Sequence, residues 1–311
     1  MNEKIKRILI TGGLGHIGSY LARALNMKED KYVITILDNF MTNRYCSLFS
    51  MEQPITFVEK SIDAVGVDFL QQFDVVYHSA AITDAAGSFK NKKQLEDVNI
   101  EQTKIFIDQC VDAKVKFIFP SSTSVYGVAS KDQVVIEHSN YINPQSPYAE
   151  AKVEIEDYIR SKFNRNNHVI FRFGTIHGVS PGMRFHTAVN KFCYQASLGI
   201  PLTVWTENYK MVRPYLSLVD AVEAIKMAIE WANLDGDTFN VLTKNYSLEQ
   251  IINYISLYSP HKVNIDWVDT PLLNQYSYYV SQVKITERGF KTTGDIREDI
   301  QDTMNLLRNL K

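Results

Sequence analysis

Residues 11 to 18 read T-G-G-L-G-H-I-G and follow directly on the apolar run R-I-L-I at 7 to 10. Gly12, Gly15 and Gly18 form a G-x-x-G-x-x-G frame. Alone, such a frame is weak, because any tight strand-to-helix turn uses glycine for its backbone freedom. The surroundings decide. Twenty residues past Gly18, at the end of the next β-rich run Y-V-I-T-I-L-D (32 to 38), stands Asp38. A carboxylate there accepts hydrogen bonds from an adenosine ribose, while the N–H groups that open the helix hold a pyrophosphate with help from the helix dipole. The stretch therefore predicts a dinucleotide-binding α/β fold. Asp38 would repel a 2′-phosphate, and no arginine immediately follows it, the next being Arg44, so NAD(H) is favoured over NADP(H).

Outward from this turn the alternation continues. Further β-rich runs are T-F-V-E-K (56 to 60), V-V-Y-H-S (75 to 79), K-F-I-F-P-S-S (116 to 122) and H-V-I-F-R-F (168 to 173), with helical stretches between them. Their apolar residues are continuous rather than alternating, as in strands covered on both faces. The expected fold class is α/β: a Rossmann-type doubly wound parallel sheet with a smaller C-terminal α+β substrate-binding region. Past residue 178 the pattern loosens into V-S-P-G-M-R-F, followed by a helix near 187–198. Regularity returns with a helix at 218–232 and a strand at 239–242. The expected division is 1–177, joined by 216–243, for the NAD-binding domain, and 178–215 with 244–311 for the substrate region.

Composition excludes several classes. The chain has 311 residues, 45% of them hydrophobic, enough for a sizeable core. A net charge of −2 offers no basic field for nucleic acid or an anionic membrane. The N-terminal apolar run is too short for a signal peptide or a membrane span. Cys46, Cys110 and Cys193 are odd in number and far apart, which supports neither a disulfide framework nor a zinc site, and a reducing cytoplasm fits best. The seven histidines show no i, i+4 pairing, so no metal is expected.

One octet, Q-S-P-Y-A-E-A-K at 145–152, carries chemistry. If a helix starts at Pro147, Tyr148 and Lys152 share one face. Such pairs are usually solvated and functionless. Here, however, the run before the helix ends in P-S-S-T-S-V-Y-G, which puts Ser121 and Ser122 at the carboxyl edge of the sheet, where the three side chains can converge. A phenol is a poor base at neutral pH, and bringing its pKa near neutrality takes about 4 kcal/mol of preferential phenolate stabilisation. Lys152 and a positive nicotinamide would supply it.

With these residues in place the chain resembles the extended short-chain dehydrogenase/reductases, and among them the sugar-nucleotide epimerases and dehydratases typified by UDP-galactose 4-epimerase. The resemblance covers almost the whole chain. It rests on T-G-G-L-G-H-I-G, D-N (38–39), H-S-A-A (78–81), Asn99, S-S-T-S-V-Y-G, Y-A-E-A-K, R-F-G-T-I-H-G (172–178), R-P-Y-L-S-L-V-D (213–220), F-N-V (239–241) and K-I-T-E-R-G-F (284–290). It implies that Ser122 hydrogen-bonds the sugar O4, Tyr148 is the acid/base, and Lys152 binds the nicotinamide ribose. Candidate cofactor contacts are Gly12, Gly15, His16, Ile17, Gly18, Asp38, Asn39, Ile62, Asp63, Ala80, Ala81 and Asn99, besides Tyr148 and Lys152. For Asp63, Ala80 and Ala81 an ordinary turn acid and small core residues are equal alternatives. Candidate substrate contacts are Ser122, Thr123, Tyr148, Thr175, Arg184, Asn190, Arg213 and Tyr278. Arg184 reads equally as a surface arginine, and Tyr278 either narrows the sugar pocket or packs near the C-terminal helices.

The expected activity is NAD-dependent epimerisation at C4 of a nucleotide-diphosphate sugar through a transient 4-keto form, in a cytoplasmic homodimer joined through helices near 95–113 and 148–163. Thr123 and Ser124 stand where 4,6-dehydratases carry Asp-Glu, which disfavours dehydration. No substrate carboxylate clamp is evident in the sequence. Thr175, His177 and Ser217 depart from the family pattern, and its second diphosphate-binding arginine is missing from P-L-L-N-Q-Y-S-Y-Y (271–279). A one-way C4 oxidoreductase uses the same trio, and a non-catalytic NAD-binding regulator keeps the same fold.

Overall fold

The computed structural model describes residues 5–27, 31–83, 87–127, 134–138, 141–269 and 278–309. Seven strands form its main sheet: β1 (Lys6–Thr11), β2 (Tyr32–Asp38), β3 (Thr56–Glu59), β4 (Val75–His78), β5 (Lys116–Ser122), β6 (His168–Phe173) and β7 (Asp237–Val241). Their order is β7-β6-β5-β4-β1-β2-β3, all parallel. The expected runs thus become strands, displaced by no more than two residues at either end.

The continuous apolar runs divide between two layers. Ile8, Ile10, Ile34, Ile36 and Phe171 face a core shared with the helix α1 (His16–Asn26) and the helix Leu218–Glu230. Leu9, Leu37, Val76, Phe117 and Ile170 point the other way, into a second core with α2 (Thr103–Asp112) and α3 (Pro147–Lys162). Side chains alternate across a strand, so burial of both sets makes the run apolar throughout.

Three further helices, α4 (Ala188–Ser197), α5 (Leu248–Tyr258) and α6 (Ile296–Leu307), enclose a third core around Val189, Phe192, Ile251, Ile255 and Ile300. Beside it lies a small sheet in which Val212–Ser217 pairs with Thr175–His177 in parallel and with Lys244–Ser247 antiparallel. The intervening helix Leu218–Glu230 packs on the first core, and strand β7 pairs with β6 in the main sheet.

Local chemistry sets the helix starts that matter. Ser146 caps α3 by accepting from the Ala149 N–H at 3.2 Å, and Pro147 fills the first turn. Ahead of α2, residues Asp97–Gln102 form a π-helical turn, a feature frequent at functional sites. Among the described residues no helix is long and apolar enough to cross a membrane, and the three cysteines are free.

Candidate active site

The strand order reverses between β1 and β4, and in open α/β sheets ligands bind outside the carboxyl ends of the strands at such a point. A cleft of about 340 Å³ opens there. At Gly12, with φ of +62°, a Cβ would stand 2.6 Å from the backbone of Ala80, so only glycine lets β1 and β4 deliver their loops side by side. At Gly18 a Cβ would lie 2.7 Å from Gly12 O and Gly13 Cα. The first helical turn, His16 to Gly18, has N–H groups without intrahelical acceptors, and Gly15 supplies no side-chain cap. Gly12, Gly15, His16, Ile17, Gly18 and Ala80 all line the cleft. An uncapped, glycine-walled helix start is what a pyrophosphate requires.

Next to this cradle, Asp38 closes β2. Its carboxylate accepts from the Leu14 N–H at 3.1 Å and the Phe40 N–H at 3.0 Å. Burial raises its pKa, and these N–H groups with the charge of Arg44 work against that. Arg44 lines the same cleft, because the chain turns back after β2. Its sequence separation from Asp38 concealed this. His16 is buried and neutral: burial first, then the charges of Arg184 and Arg44, lower its pKa to about 3, and its Nδ1 lies 2.7 Å from Ser180 Oγ.

At the other end of the cleft stand Ser122, Tyr148 and Lys152. Ser122 ends β5 and accepts from the Ser124 N–H at 3.2 Å, while its side chain hydrogen-bonds Tyr148. Lys152 donates to the Pro120 carbonyl at 2.7 Å and lies 5.8 Å from the Tyr148 ring centroid. Burial lowers the Lys152 pKa to about 7, against the opposing charge of Glu156. The Tyr148 phenol differs from expectation. Its pKa stands above its ordinary value because burial dominates, and what counters burial is Arg184 first and Ser122 second. The Lys152 ammonium is directed at the Pro120 carbonyl, below the phenol rather than at its oxygen.

Asn39, Ile62, Ala80, Ala81, Thr175 and Arg184 also line the cleft, as do Ser124 and Thr83. Asn99, in the π-helical turn, binds Ile82 through both its amide atoms, at 2.8 Å each, and so holds the loop that follows β4 rather than lining the cleft. Asp63 is exposed and outside it. Thr123 is buried, with its hydroxyl on Phe173 O at 3.3 Å. Asn190 is wholly buried and donates to Arg184 O at 3.0 Å. Arg213 lies over the Tyr278 ring at 5.8 Å, and Tyr278 packs with Val125, Tyr126 and Val280, its hydroxyl 3.4 Å from Thr123 O. Most of the stretch that lacks the second diphosphate-binding arginine, residues 271–277, lies outside the described residues.

Sequence reasoning passed over Glu156, although its signal was available: it follows Lys152 by four residues and Tyr148 by eight, on the same helix face. It is buried and holds Arg172 at 2.6 and 3.0 Å, Arg160 at 2.7 Å and Ser121 at 2.5 Å.

Fold and cleft together define an NAD-dependent α/β enzyme of the short-chain dehydrogenase/reductase type. A model of the NAD dependent epimerase/dehydratase family matches residues 8–241. An uncharacterized UDP-glucose epimerase of Bacillus subtilis is 26% identical over 278 residues, covering 85% of each chain. A dTDP-D-glucose 4,6-dehydratase of Mus musculus is 26% identical over 325 residues, 97% of this chain and 89% of the relative. Among solved structures, UDP-glucuronic acid 4-epimerase from Bacillus cereus, in complex with UDP-glucuronic acid and NAD, matches with a TM-score of 0.84. That likeness covers 98% of this chain and 100% of the other at 25% identity. The chain belongs to the NAD-dependent epimerase/dehydratase family, and NAD is its cofactor.

Proposed function

We propose that the protein epimerises a nucleotide-diphosphate sugar at C4 through a transient 4-keto form. The observation that carries the reading is the placement of Ser122, Tyr148 and Lys152 at one end of a cleft whose other end is the helix-start cradle with Asp38. Bound NAD supplies a hydride acceptor that can return what it has taken. Ser122 holds the sugar O4, and Tyr148 takes the O4 proton and gives it back. Lys152 contributes positive charge at the base of the phenol and a donor to the nicotinamide ribose. Elimination of water from the sugar needs a further acid and base. The residues after Ser122 are Thr123, occupied by Phe173 O, and Ser124, neither of them ionisable. Relatives named as UDP-glucose epimerases support the same reading.

In this reading His16, Ile17, Gly18, Asp38, Ile62 and Ala80 hold the cofactor, while Asn99 acts through Ile82. The substrate is enclosed between the sheet domain and the region of α4 to α6. The enzyme is proposed to work as a cytoplasmic homodimer through α2 and α3, where Ile105 is 48% exposed.

The test is incubation of purified protein, without added cofactor, with UDP-, GDP-, CDP- and dTDP-linked hexoses, and chromatographic resolution of the products with mass detection. A new isomer of unchanged mass is expected. A product lighter by two hydrogens or by one water overturns the proposal in favour of net oxidation or dehydration.

A further inference from the structure

The segment that follows β6 is fastened twice, first on α6 and then on the glycine turn. Its first fastening is His177, at the end of the strand Thr175–His177. That imidazole is fully buried, with Nδ1 2.8 Å from Oδ2 of Asp299, the neighbour of Ile300 on α6. Neither atom has a well-directed hydrogen bond among the described residues, so charge and proximity make the contact. A carboxylate oxygen shut away from water needs such a partner. The chain then passes over the carboxylate: Gly178 has φ of +111°, and a Cβ there would stand 3.2 Å from Asp299 Oδ1. Ser217, which pairs with His177 across the small sheet, is buried too, and both are positions where this chain departs from the family pattern.

The second fastening is on the cofactor cradle. Ser180 Oγ lies 2.7 Å from His16 Nδ1, and Gly182 N–H donates to Ser19 Oγ at 3.0 Å. A Cβ on Gly182 would stand 2.3 Å from Leu14 O and 2.4 Å from Gly15 O, so the segment bears directly on the carbonyls of the turn. In a planar trans peptide the N–H points opposite the carbonyl, and a group pressed on Gly15 O therefore fixes the direction of the His16 N–H that opens α1. Only Gly178 and Val179 separate His177 from Ser180. So short a link has little slack, and a shift at His177 reaches the turn.

We propose that His177 and Asp299 are positioning residues for NAD: their contact holds residues 178–182 against the glycine turn and so keeps the pyrophosphate cradle aligned. Neither residue lines the cleft. A carboxylate on α6 thus governs how firmly the cofactor is held, whatever sugar is turned over.

The experiment follows exchange of bound NAD for isotope-labelled NAD in the NAD-loaded protein, with denaturant unfolding measured alongside. Asp299→Ala should release NAD about 5- to 10-fold faster, the low end of effects carried between separate positions. His177→Phe, which leaves Asp299 facing a ring without a polar atom, should do the same. Ile300→Ala loosens α6 one residue away without touching the pair, and should stay within about twofold of the wild-type release rate even where it costs as much stability. Ser180→Ala cuts the other fastening. Because both act through one segment, adding Asp299→Ala to it should speed release further by less than about twofold. Unchanged release in Asp299→Ala overturns the proposal. So does equal acceleration by Ile300→Ala, which would mean general loosening of α6, or full multiplication of the Ser180 and Asp299 effects, which would mean separate routes. Should Asp299→Ala fail to fold, Asp299→Asn keeps the shape, removes the charge and is held to the same outcomes.

Discussion

At the scale of single residues, the site separates holding from reacting. Asp38 and Tyr148 line one cleft, and in the proposed reading Asp38 holds NAD while Tyr148 meets the sugar. Tyr148→Phe should therefore abolish turnover while NAD affinity, measured by fluorescence or calorimetry, stays nearly unchanged. Asp38→Ala should do the reverse, weakening NAD by about 10-fold or more through loss of a charged hydrogen bond. The phenol also yields a pH prediction. Its pKa is raised by burial, so in the NAD-free protein it is neutral well past neutral pH. A positive nicotinamide favours the charged form of a nearby acid and moves the pKa down. Phenolate absorbance, taken as the difference between wild type and Tyr148→Phe, should appear at lower pH with NAD bound than without it, and coincident titrations would refute the coupling.

At the scale of elements, α3 carries Tyr148, Lys152 and Glu156 one turn apart along one face. Glu156 ties that face to β5 through Ser121 and to β6 through Arg172, both contacts buried. Arg172 and Arg160 hold the Glu156 carboxyl below its usual pKa despite burial. Glu156→Gln leaves Arg172 buried and unpaired, so it should cost about 3–5 kcal/mol in denaturant unfolding. The apolar pair Glu156→Leu with Arg172→Met should recover much of that loss. Recovery of stability without recovery of turnover would mark Glu156 as a positioning residue for Ser122 and Lys152. The Tyr148–Lys152 spacing was legible because i, i+4 geometry is local. The partners of Glu156 were not, since Ser121 and Arg172 are brought to it by strand pairing.

At the scale of the whole molecule, the two sheet cores and the third core under α4 to α6 are distinct clusters of buried residues. Ile300, fully buried in the third, is a probe of their independence. Ile300→Ala should destabilise by about 2–5 kcal/mol in thermal or denaturant unfolding. Because the cradle rests on the other cores, it should raise KM for the sugar nucleotide more than it weakens NAD. Equal loss of both would mean that the cores act as one.

The amino-acid sequence by itself determined the parallel sheet, the glycine turn with Asp38, and the trio of Ser122, Tyr148 and Lys152. Those signals are periodicities and short spacings, which the backbone translates directly into shared faces and shared sheet edges. Tertiary structure alone decided that Arg44 turns back into the cleft with Asp38, that Asn99 grips Ile82, that Tyr278 packs among Val125 and Tyr126, and that Arg184 lines the same cleft as Tyr148. Each of these depends on where a loop is pressed by a distant element. Thirty-six residues separate Tyr148 from Arg184, and the seating of the loop at Gly182 on the glycine turn brings both to one cleft.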